Sequence, residues 1–284
     1  MTPTTSVALV TRNRPESLAR TLASLGQQVT APFEVVVSDD SDDGVVAEVR
    51  RVVEAHGARY VRGPRRGLYA NRNAVALACR GTHVRTMDDD HEFPPGHLVA
   101  CDAALAEDPA SVWILGEQYP GDIDPARIPD CPGQLTAAGY SATPPDPQDC
   151  WAISDGAAIY PRRLFQEGVR YAEAFPFGAA YLELGSRLHW RGQRIRFLDT
   201  TYVVHHYDPA ARSVMDPAVD LASRTFAALC HAFVYQPSAR NRAVCLSRMA
   251  LRAARGGVPG AQAVAAGWRA FRVHISELER GARG

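Results

Sequence analysis

Residues 6–28, "SVALVTRNRPESLARTLASLGQQ", contain a complete strand-to-helix unit. The opening "SVALVT" is apolar and carries β-branched residues, which predicts a buried strand. Pro15 suits the first turn of the helix that follows. Leu18, Leu22 and Leu25 recur at positions i, i+4 and i+7, so they lie on one helical face. Because strands that alternate with helices build mostly parallel sheets, this stretch predicts the α/β class.

The same alternation continues along the chain. Residues 33–40, "FEVVVSDD", predict a second buried strand, and residues 42–57 predict a helix. Further strands are predicted at 58–63 and 82–87, on either side of a third helix over 68–81. We expect this third helix to pack through four small or apolar residues: Ala70, Ala74, Leu77 and Ala78. The pattern indicates a mostly parallel central sheet that is flanked by helices.

The second half of the sequence is less regular. Residues 117–149 are rich in proline, glycine and aspartate and show no period, which predicts a long surface excursion. A helix over 179–192 and a strand over 194–209 follow, and the chain is helical in composition from about Pro217. We therefore divide the chain into a first half over residues 1–116, a second half over 117–215 and a C-terminal helical extension over 216–284.

Composition excludes several classes of function. The basic and acidic residues number 31 each, so no basic field favours nucleic acid. Lysine does not occur, which excludes a P-loop with its Gly-Lys-Ser/Thr ending and any Schiff-base mechanism. The six cysteines show no CxxC spacing. No signal-peptide pattern or apolar run of about 20 residues is visible, so we expect free thiols and a cytoplasmic protein.

Polar residues follow three of the predicted strands at their carboxyl ends. Residues 11–13 follow the first strand, Asp39 and Asp40 follow the second, and three consecutive aspartates at 88–90 follow the fourth. Parallel sheets bind ligands in the crevice beyond the carboxyl ends of their strands. We therefore expect these three loops to converge on one binding site.

The three consecutive aspartates require a specific environment. Adjacent carboxylates repel one another, and in a partly buried place one of them would take up a proton unless a cation neutralised the group. A bound metal ion is one interpretation. A helix cap is the other, because a helix is expected near Pro94 and carboxylates favour helix N-termini by ~0.3–1 kcal/mol each. A cap needs only one aspartate, which favours the metal.

Taken together, these residues resemble a family 2 glycosyltransferase of the GT-A type. The matching stretches are "SVALVTRNRPESLARTLASLGQQ", "FEVVVSDDSDDG", "GLYANRNAVALACRGTHVRTMDDDHEFPPGHL" and, more loosely, "YLELGSRLHWRGQRI" leading to "VVHH". The resemblance is dense over residues 6–100, weaker over 150–208 and absent from the tail. It implies a GT-A fold in which the first half binds a nucleotide sugar and the second half binds the acceptor.

The resemblance also implies roles for individual residues. Thr11 and Asp40 would contact the base or ribose, and Arg72 would lie toward the diphosphate. The same nucleotide site would include Arg12 and Asp39. The aspartates Asp88, Asp89 and Asp90 match the DXD motif of the family. That motif would bind a divalent cation, Mg²⁺ or Mn²⁺, mainly through Asp90 and Asp88, together with the donor's diphosphate.

A histidine pair and the catalytic base complete the expected site. The family often places a metal-binding histidine where His205 and His206 end a strand. Because neighbouring residues in a strand face opposite ways, only one of the two would reach the metal. His205 is the preferred one. The acidic pair that usually supplies the family's base is replaced by Ala180 and Tyr181. The remaining candidates for the base are, in order of preference, Glu183, Asp155 and Glu173. Glu183 could equally be the i, i+4 partner of Arg187.

These features predict a metal-dependent glycosyltransferase, and the family resemblance implies that it is inverting. The donor would be a nucleoside-diphosphate sugar and the acceptor a hydroxyl group on a cell-envelope glycan or a secondary metabolite of a bacterium. A sugar-phosphate nucleotidyltransferase is an alternative, but such an enzyme would need a glycine-rich loop after the first strand. The sequence there is "TRNRPES", which has no glycine and argues against this alternative. A non-catalytic module that binds nucleotide sugars or glycans is the other alternative, because the acidic pair is missing.

The C-terminal tail is rich in arginine. Five arginines, with no acidic residue among them, lie in one predicted helical segment: Arg240, Arg242, Arg248, Arg252 and Arg255. They could contact an anionic membrane surface beside a lipid-linked acceptor. The alternative is a solvated helix that packs on the catalytic domain.

Overall fold

A computed structural model describes residues 2–124, 127, 131, 133–207 and 216–281 of the chain. Parts of the predicted excursion, the end of the predicted strand over 194–209 and the last residues of the tail lie outside the described residues. The ten described strands are β1 (Thr5–Thr11), β2 (Glu34–Asp39), β3 (Arg59–Arg62), β4 (His83–Asp88), β5 (His91–Glu92), β6 (Val112–Gln118), β7 (Gln134–Leu135), β8 (Ser141–Ala142), β9 (Ala158–Pro161) and β10 (Ile195–His205).

Helices cover the sheet and form the C-terminal extension. They are α1 (Pro15–Gly26), α2 (Asp43–Ala55), α3 (Leu68–Ala78), α4 (His97–Glu107), α5 (Arg162–Gln166), α6 (Ala180–Trp190), α7 (Pro217–Cys230), α8 (Ala239–Arg255) and α9 (Gly257–Gly281), with a π-helical turn at His231–Tyr235 between α7 and α8. Among the described residues, none of these helices is both long and apolar enough to cross a membrane.

The central sheet has eight strands in the order β3-β2-β1-β4-β9-β6-β10-β5. Strands β1 to β4 pair in parallel, as their alternation with helices predicts, and β10 is parallel to β6. The antiparallel strand β9 lies between the two parallel groups. The short strand β5 pairs antiparallel with the end of β10 and places His91 opposite His205. The predicted mixed α/β class with a largely parallel central sheet is confirmed.

Helix α3 packs on the sheet through only part of the predicted face. Ala70 is buried as predicted, but Leu77 is 51% exposed. The larger side chains of Tyr69, Arg72 and Val75 are buried as well, and Tyr69 and Val75 belong to the core of the sheet. This packing matters for function because it places Arg72 inward, toward the carboxyl edge of the sheet.

The C-terminal extension packs on the rest of the chain through a second core. Phe226 of α7 is fully buried beside Phe175, and Ala263 of α9 lies in the same cluster. The arginine-rich helix α8 also contacts the domain, because Arg252 donates to the carbonyl of Ala138 at 2.8 Å. The extension is therefore part of the folded body along the described residues.

Candidate active site

The loops after β1, β2 and β4 meet at the carboxyl edge of the sheet. Thr11 Oγ1 donates to Asp89 Oδ2 at 2.7 Å. The backbone N–H of Asp40 donates to the carbonyl of Thr11 at 3.0 Å, and the backbone N–H of Asn13 donates to Ser41 Oγ at 2.7 Å. The structure thus brings together the three loops that were expected to converge, because β1 lies between β2 and β4 and runs parallel to both.

The two aspartates after β2 are both buried, but in different surroundings. Asp39 accepts a hydrogen bond from Tyr60 Oη at 2.9 Å, and this bond helps to hold the loop after β2 in place. Asp40 accepts the backbone N–H of Arg65 at 2.8 Å. Burial raises the pKa of Asp40. A side chain at Gly63 would overlap the Asp40 carboxylate, so glycine leaves room for that carboxylate.

Arg72 links two carboxylates from distant parts of the chain. Its guanidinium donates to both oxygens of Asp88 at 2.7 Å and also pairs with Asp155, which follows the excursion. Burial alone would raise the pKa of Asp88, but the charge and hydrogen bonds of Arg72, together with the nearby His91 and His205, outweigh burial and lower the pKa to about 2. A side chain on Gly156 would come within 2.5 Å of Asp88 Oδ2, which explains why glycine stands there.

Arg14, at the end of the β1–α1 loop, neutralises the other two aspartates. Its guanidinium pairs with Asp89 and donates to Asp90 Oδ2 at 3.0 Å. Asp89 is fully buried, and burial raises its pKa to about 7 although Arg14 acts in the opposite direction. Since the Arg14 side chain is 34% exposed, it is also the cation of this group that solvent or a ligand can reach.

The remaining oxygen of Asp90 faces two histidines. Asp90 Oδ1 lies 3.9 Å from His91 Nε2 and 3.8 Å from His205 Nε2. The other ring nitrogen of His205 is held by Glu117 Oε2 at 2.8 Å. Burial lowers the pKa of His205, but its hydrogen bond to Glu117 and the charges of the nearby carboxylates together outweigh burial, and the net direction is upward. A histidine whose far nitrogen is fixed by a carboxylate is the usual arrangement of a metal-binding imidazole.

An open cleft of about 630 Å³ adjoins this group. Its walls come from the β1–α1 loop, from α1 and from the ends of β6 and β10; the lining residues are Asn13, Arg14, Glu16, Ser17, Arg20, Tyr119, Pro120, His205, His206 and Tyr207. The ring of Tyr119 stacks on His205 with centroids 5.7 Å apart. His206 Nε2 turns away from the aspartates and lies 3.0 Å from Glu92 Oε1.

The structure places the two first candidates for the base in different regions. Glu183 is fully buried in α6, where Arg187 Nε donates to it at 2.9 Å and Tyr235 Oη at 2.6 Å. His274 Nε2 lies 3.0 Å from the same oxygen. Burial would raise the pKa of Glu183, but Arg187 and His274 together outweigh burial and lower the pKa to about 2. Asp155, in contrast, stands beside the aspartate group and is 33% exposed.

Two further predicted residues lie away from the aspartate group. Arg12 is exposed, and its guanidinium faces Asp42 at 3.8 Å. Glu173, the third candidate for the base, pairs with Arg66 at 3.0 Å and accepts a hydrogen bond from Asn73 Nδ2 at 2.9 Å. The structure therefore brings Thr11, Asp40 and the triple aspartate together and leaves Arg12 and Glu173 outside that group.

Sequence reasoning missed three residues of the site. Arg14 stands in the same loop as Thr11, so its position after the strand could have identified it. His91 directly follows the triple aspartate, and that adjacency was a usable signal. Glu117 gave no local signal, because its contact with His205 depends on the pairing of β6 with β10, whose residues lie far apart in sequence.

The sheet order and the charged groups at its carboxyl edge are those of a GT-A fold. A sequence profile described as glycosyl transferase family 2 matches residues 6–168, so the chain belongs to that family. Validoxylamine A glucosyltransferase of Streptomyces hygroscopicus subsp. limoneus is 27% identical over 221 residues, which cover 67% of this chain and 49% of that protein. An uncharacterized glycosyltransferase, YwdF of Bacillus subtilis, is 31% identical over 93 residues, covering 33% and 35%.

The chain spans between about a third and a half of the length of these curated relatives.

Solved structures support the fold. The crystal structure of S. aureus TarS 1-349 has a TM-score of 0.64 at 17% identity, covering 97% of this chain and 83% of that one. GalNAc-T7 with UDP, GalNAc and Mn²⁺ has a TM-score of 0.65 at 16% identity, covering 87% and 55%. The mannosyltransferase PcManGT of Pyrobaculum calidifontis, with GDP-Man and Mn²⁺, has a TM-score of 0.58 at 20% identity, covering 95% and 80%.

Proposed function

We propose that this family 2 glycosyltransferase is a metal-dependent, inverting enzyme that moves a sugar from a nucleoside diphosphate to an acceptor hydroxyl. The observation that carries the proposal is the group of three aspartates held by Arg14 and Arg72 beside two histidines. The two guanidinium groups balance the charge of only two of the three carboxylates. The group can therefore bind one further divalent cation together with a diphosphate. The solved relatives with UDP, GDP-Man and Mn²⁺ support the same donor class.

The nucleotide is proposed to bind where the β1, β2 and β4 loops meet. Thr11 and Asp40 are the polar residues of that crevice, and Asp39 holds the loop through Tyr60. Arg12 can join only by turning away from Asp42. Because Arg72 is buried and already paired, we assign it to orienting Asp88 and assign contact with the diphosphate to the accessible Arg14.

The residues present fit a divalent cation. His205 has the carboxylate partner that metal-binding histidines use, and Asp90 has one oxygen that faces two imidazole nitrogens. We propose that Asp90 and His205 hold Mn²⁺ or Mg²⁺, with Asp88 and Asp89 nearby. When bound, the cation stabilises the negative charge that develops on the leaving diphosphate. Arg14 adds a second positive charge at the same place.

Asp155 is the base that the geometry favours. It is accessible, lies beside Asp88 and is oriented by Arg72. Asp155 would accept the proton of the acceptor hydroxyl as that oxygen attacks the anomeric carbon and the bond from that carbon to the diphosphate breaks. Glu183, ranked first from the sequence, has no exposed surface and three partners, so we propose a structural role for it instead.

A non-catalytic binding module remains the second candidate, because Ala180 and Tyr181 stand where the family's acidic pair is expected. The acceptor is proposed to be a secondary metabolite, since one relative is named a validoxylamine A glucosyltransferase. A cell-envelope glycan is the other acceptor class.

One experiment separates these functions. The chain is incubated with UDP-, dTDP- and GDP-sugars and Mn²⁺, and the release of free nucleoside diphosphate is measured with and without a chelator. Slow hydrolysis that is lost on chelation supports the metal-dependent enzyme. Tight binding of a donor without hydrolysis, and without transfer to any of a panel of acceptors, would support the binding module.

A further inference from the structure

Arg85 is a buried cation whose described hydrogen-bond partners are all uncharged. It lies on β4 and is 0% exposed, and its Nη1 donates to the backbone carbonyls of Thr86 and Gly156, to the second at 3.2 Å. Its Nη2 lies 3.4 Å from His97 Nε2, and its Nε has no partner among the residues that the structure describes. Burying a charge is unfavourable unless the charge is paired, so an arginine in this place calls for an explanation.

The protonation states of Arg85 and His97 follow from their surroundings. Burial lowers the pKa of Arg85 to about 10, so the guanidinium keeps its charge at neutral pH. Burial, and then the charge of Arg85, lower the pKa of His97 well below its ordinary value of 6.5, so the imidazole is neutral. Since Nε2 of His97 accepts from Arg85, the ring proton is on Nδ1, which lies 2.9 Å from Thr201 Oγ1. An unbroken series of hydrogen bonds therefore joins Gly156 to Thr201.

This series of bonds connects three segments that carry residues of the candidate site. The strand that holds the guanidinium, β4, ends at Asp88, and Gly156 directly follows Asp155. Thr201 lies in the irregular part of β10, where the pairing with β6 shifts, and that strand ends at His205. The guanidinium thus joins the strands that present proposed metal ligands to the turn that presents the proposed base.

Gly156 determines the backbone next to the proposed base. Its φ of 66° lies in the left-handed region, and a Cβ there would come within 2.5 Å of Asp88 Oδ2. Its carbonyl oxygen accepts the hydrogen bond from Arg85. Asp155 itself is 33% exposed and pairs through its side chain with Arg72. Without the bond from Arg85, the peptide after Asp155 can turn, and the Asp155 carboxylate then moves relative to Asp88.

We infer that Arg85 is a positioning residue for the transfer reaction: through the carbonyl of Gly156 it holds Asp155 where that carboxylate can take the proton of the attacking hydroxyl. This inference rests on the proposed function and adds Arg85 to it. A displacement of about 1 Å in a reacting group can cost about a hundredfold in rate. The buried charge of Arg85 then serves turnover rather than stability, which is the usual compromise at an active site.

The test compares Arg85→Met with the unaltered chain by the release of nucleoside diphosphate from UDP-, dTDP- and GDP-sugars with Mn²⁺. We expect turnover to fall about 10- to 100-fold while the KM of the donor changes less than about threefold. Arg85→Lys keeps the charge and one donor group, so it should keep more of the turnover than Arg85→Met. The matched control is Arg162→Met at the opposite end of β9, because Arg162 also donates to a backbone carbonyl, that of Cys79 at 3.3 Å. This control should keep its turnover within about threefold of the unaltered chain.

A double-mutant cycle separates positioning from a general loss of structure. If Arg85 acts through Asp155, adding Arg85→Met to Asp155→Asn should lower turnover by less than about threefold further. Losses that multiply in the double variant would overturn the inference. So would full turnover in Arg85→Met, or an equal loss in the Arg162→Met control.

Hydrogen–deuterium exchange reads the same effect without turnover. The peptide that contains residues 154–158 should exchange at least about fivefold faster in Arg85→Met than in the unaltered chain, while peptides from α2 should not change. Should Arg85→Met fail to fold, Arg85→Lys takes its place in both experiments. Unchanged exchange in a folded variant would overturn the inference. If the unaltered chain releases no nucleoside diphosphate from any donor, the proposed function fails instead, and exchange alone decides whether Arg85 holds the turn.

Discussion

Replacing Glu183 by glutamine tests whether this residue stabilises the fold or performs the chemistry. The substitution keeps the size of the side chain and a hydrogen-bond acceptor for Tyr235, but it leaves the charge of Arg187 buried without a counter-ion. Breaking a buried ion pair by removing one partner costs about 3–5 kcal/mol. We therefore expect Glu183→Gln to lower the free energy of unfolding by about that amount.

The pKa of Glu183 gives a value of the same order for its combined interactions with Arg187 and His274. Its pKa is about 2 in the folded chain against an ordinary value of 4.5, which corresponds to roughly 3 kcal/mol. Because the folded pKa is the lower one, this stability is present above pH 4.5 and is lost as the pH falls toward 2. The unaltered chain should therefore lose more stability than Glu183→Gln over that pH interval.

The assay is urea unfolding at pH 7 and at several lower pH values, together with turnover at pH 7. The chain offers a matched control in Glu167, which forms an i, i+4 pair with Arg163 at 3.7 Å but is largely exposed. Glu167→Gln should change stability by less than about 1 kcal/mol. Unchanged stability of Glu183→Gln, with turnover reduced more than a hundredfold, would refute the structural role and restore Glu183 as the base.

Three further predictions concern the site and the tail. Asp155→Asn should lower turnover by ~10²–10⁴-fold with donor affinity nearly unchanged; a similar loss in the exposed control Asp149→Asn would argue against a specific role. Calorimetry of UDP with and without Mn²⁺ should show tighter binding with metal, and Asp90→Asn should abolish this coupling; equal affinity in both conditions would exclude the metal-dependent mechanism. Because Arg252 is hydrogen-bonded to the carbonyl of Ala138, we expect the protein to stay in the supernatant when it is centrifuged with acidic liposomes. Sedimentation with the liposomes that is lost at high salt would show a membrane contact instead.

The first half of the fold could be predicted because its determinants are local. Each strand from β1 to β4 is a short apolar run followed by a helix with its own apolar period, and parallel pairing then places their carboxyl ends together. The convergence of Thr11, Asp40 and the triple aspartate follows from that pairing alone. The resemblance to family 2 glycosyltransferases, now shown by the family match, rested on these same stretches.

Features that depend on distant pairing could not be predicted in this way. The inward turn of Arg72 reflects how α3 settles on β1, and its second partner, Asp155, comes from beyond the excursion. The contact of Glu117 with His205 requires β6 and β10 to be neighbours. The burial of Glu183 requires the C-terminal extension to pack on α6, and no local sequence pattern predicts that packing.

The contact between His274 and Glu183 has a consequence for the order in which the protein is made. The two residues are separated by 91 positions, and Tyr235 follows Glu183 by 52. During synthesis, α6 emerges with its carboxylate and Arg187 but without the two partners that enclose them. Domains fold from the N-terminus as they emerge, so the sheet and its aspartates can assemble early. Helix α6 can reach its final packing only after residue 274 has left the ribosome. The packing around Glu183 is therefore among the last parts of the fold to form during synthesis.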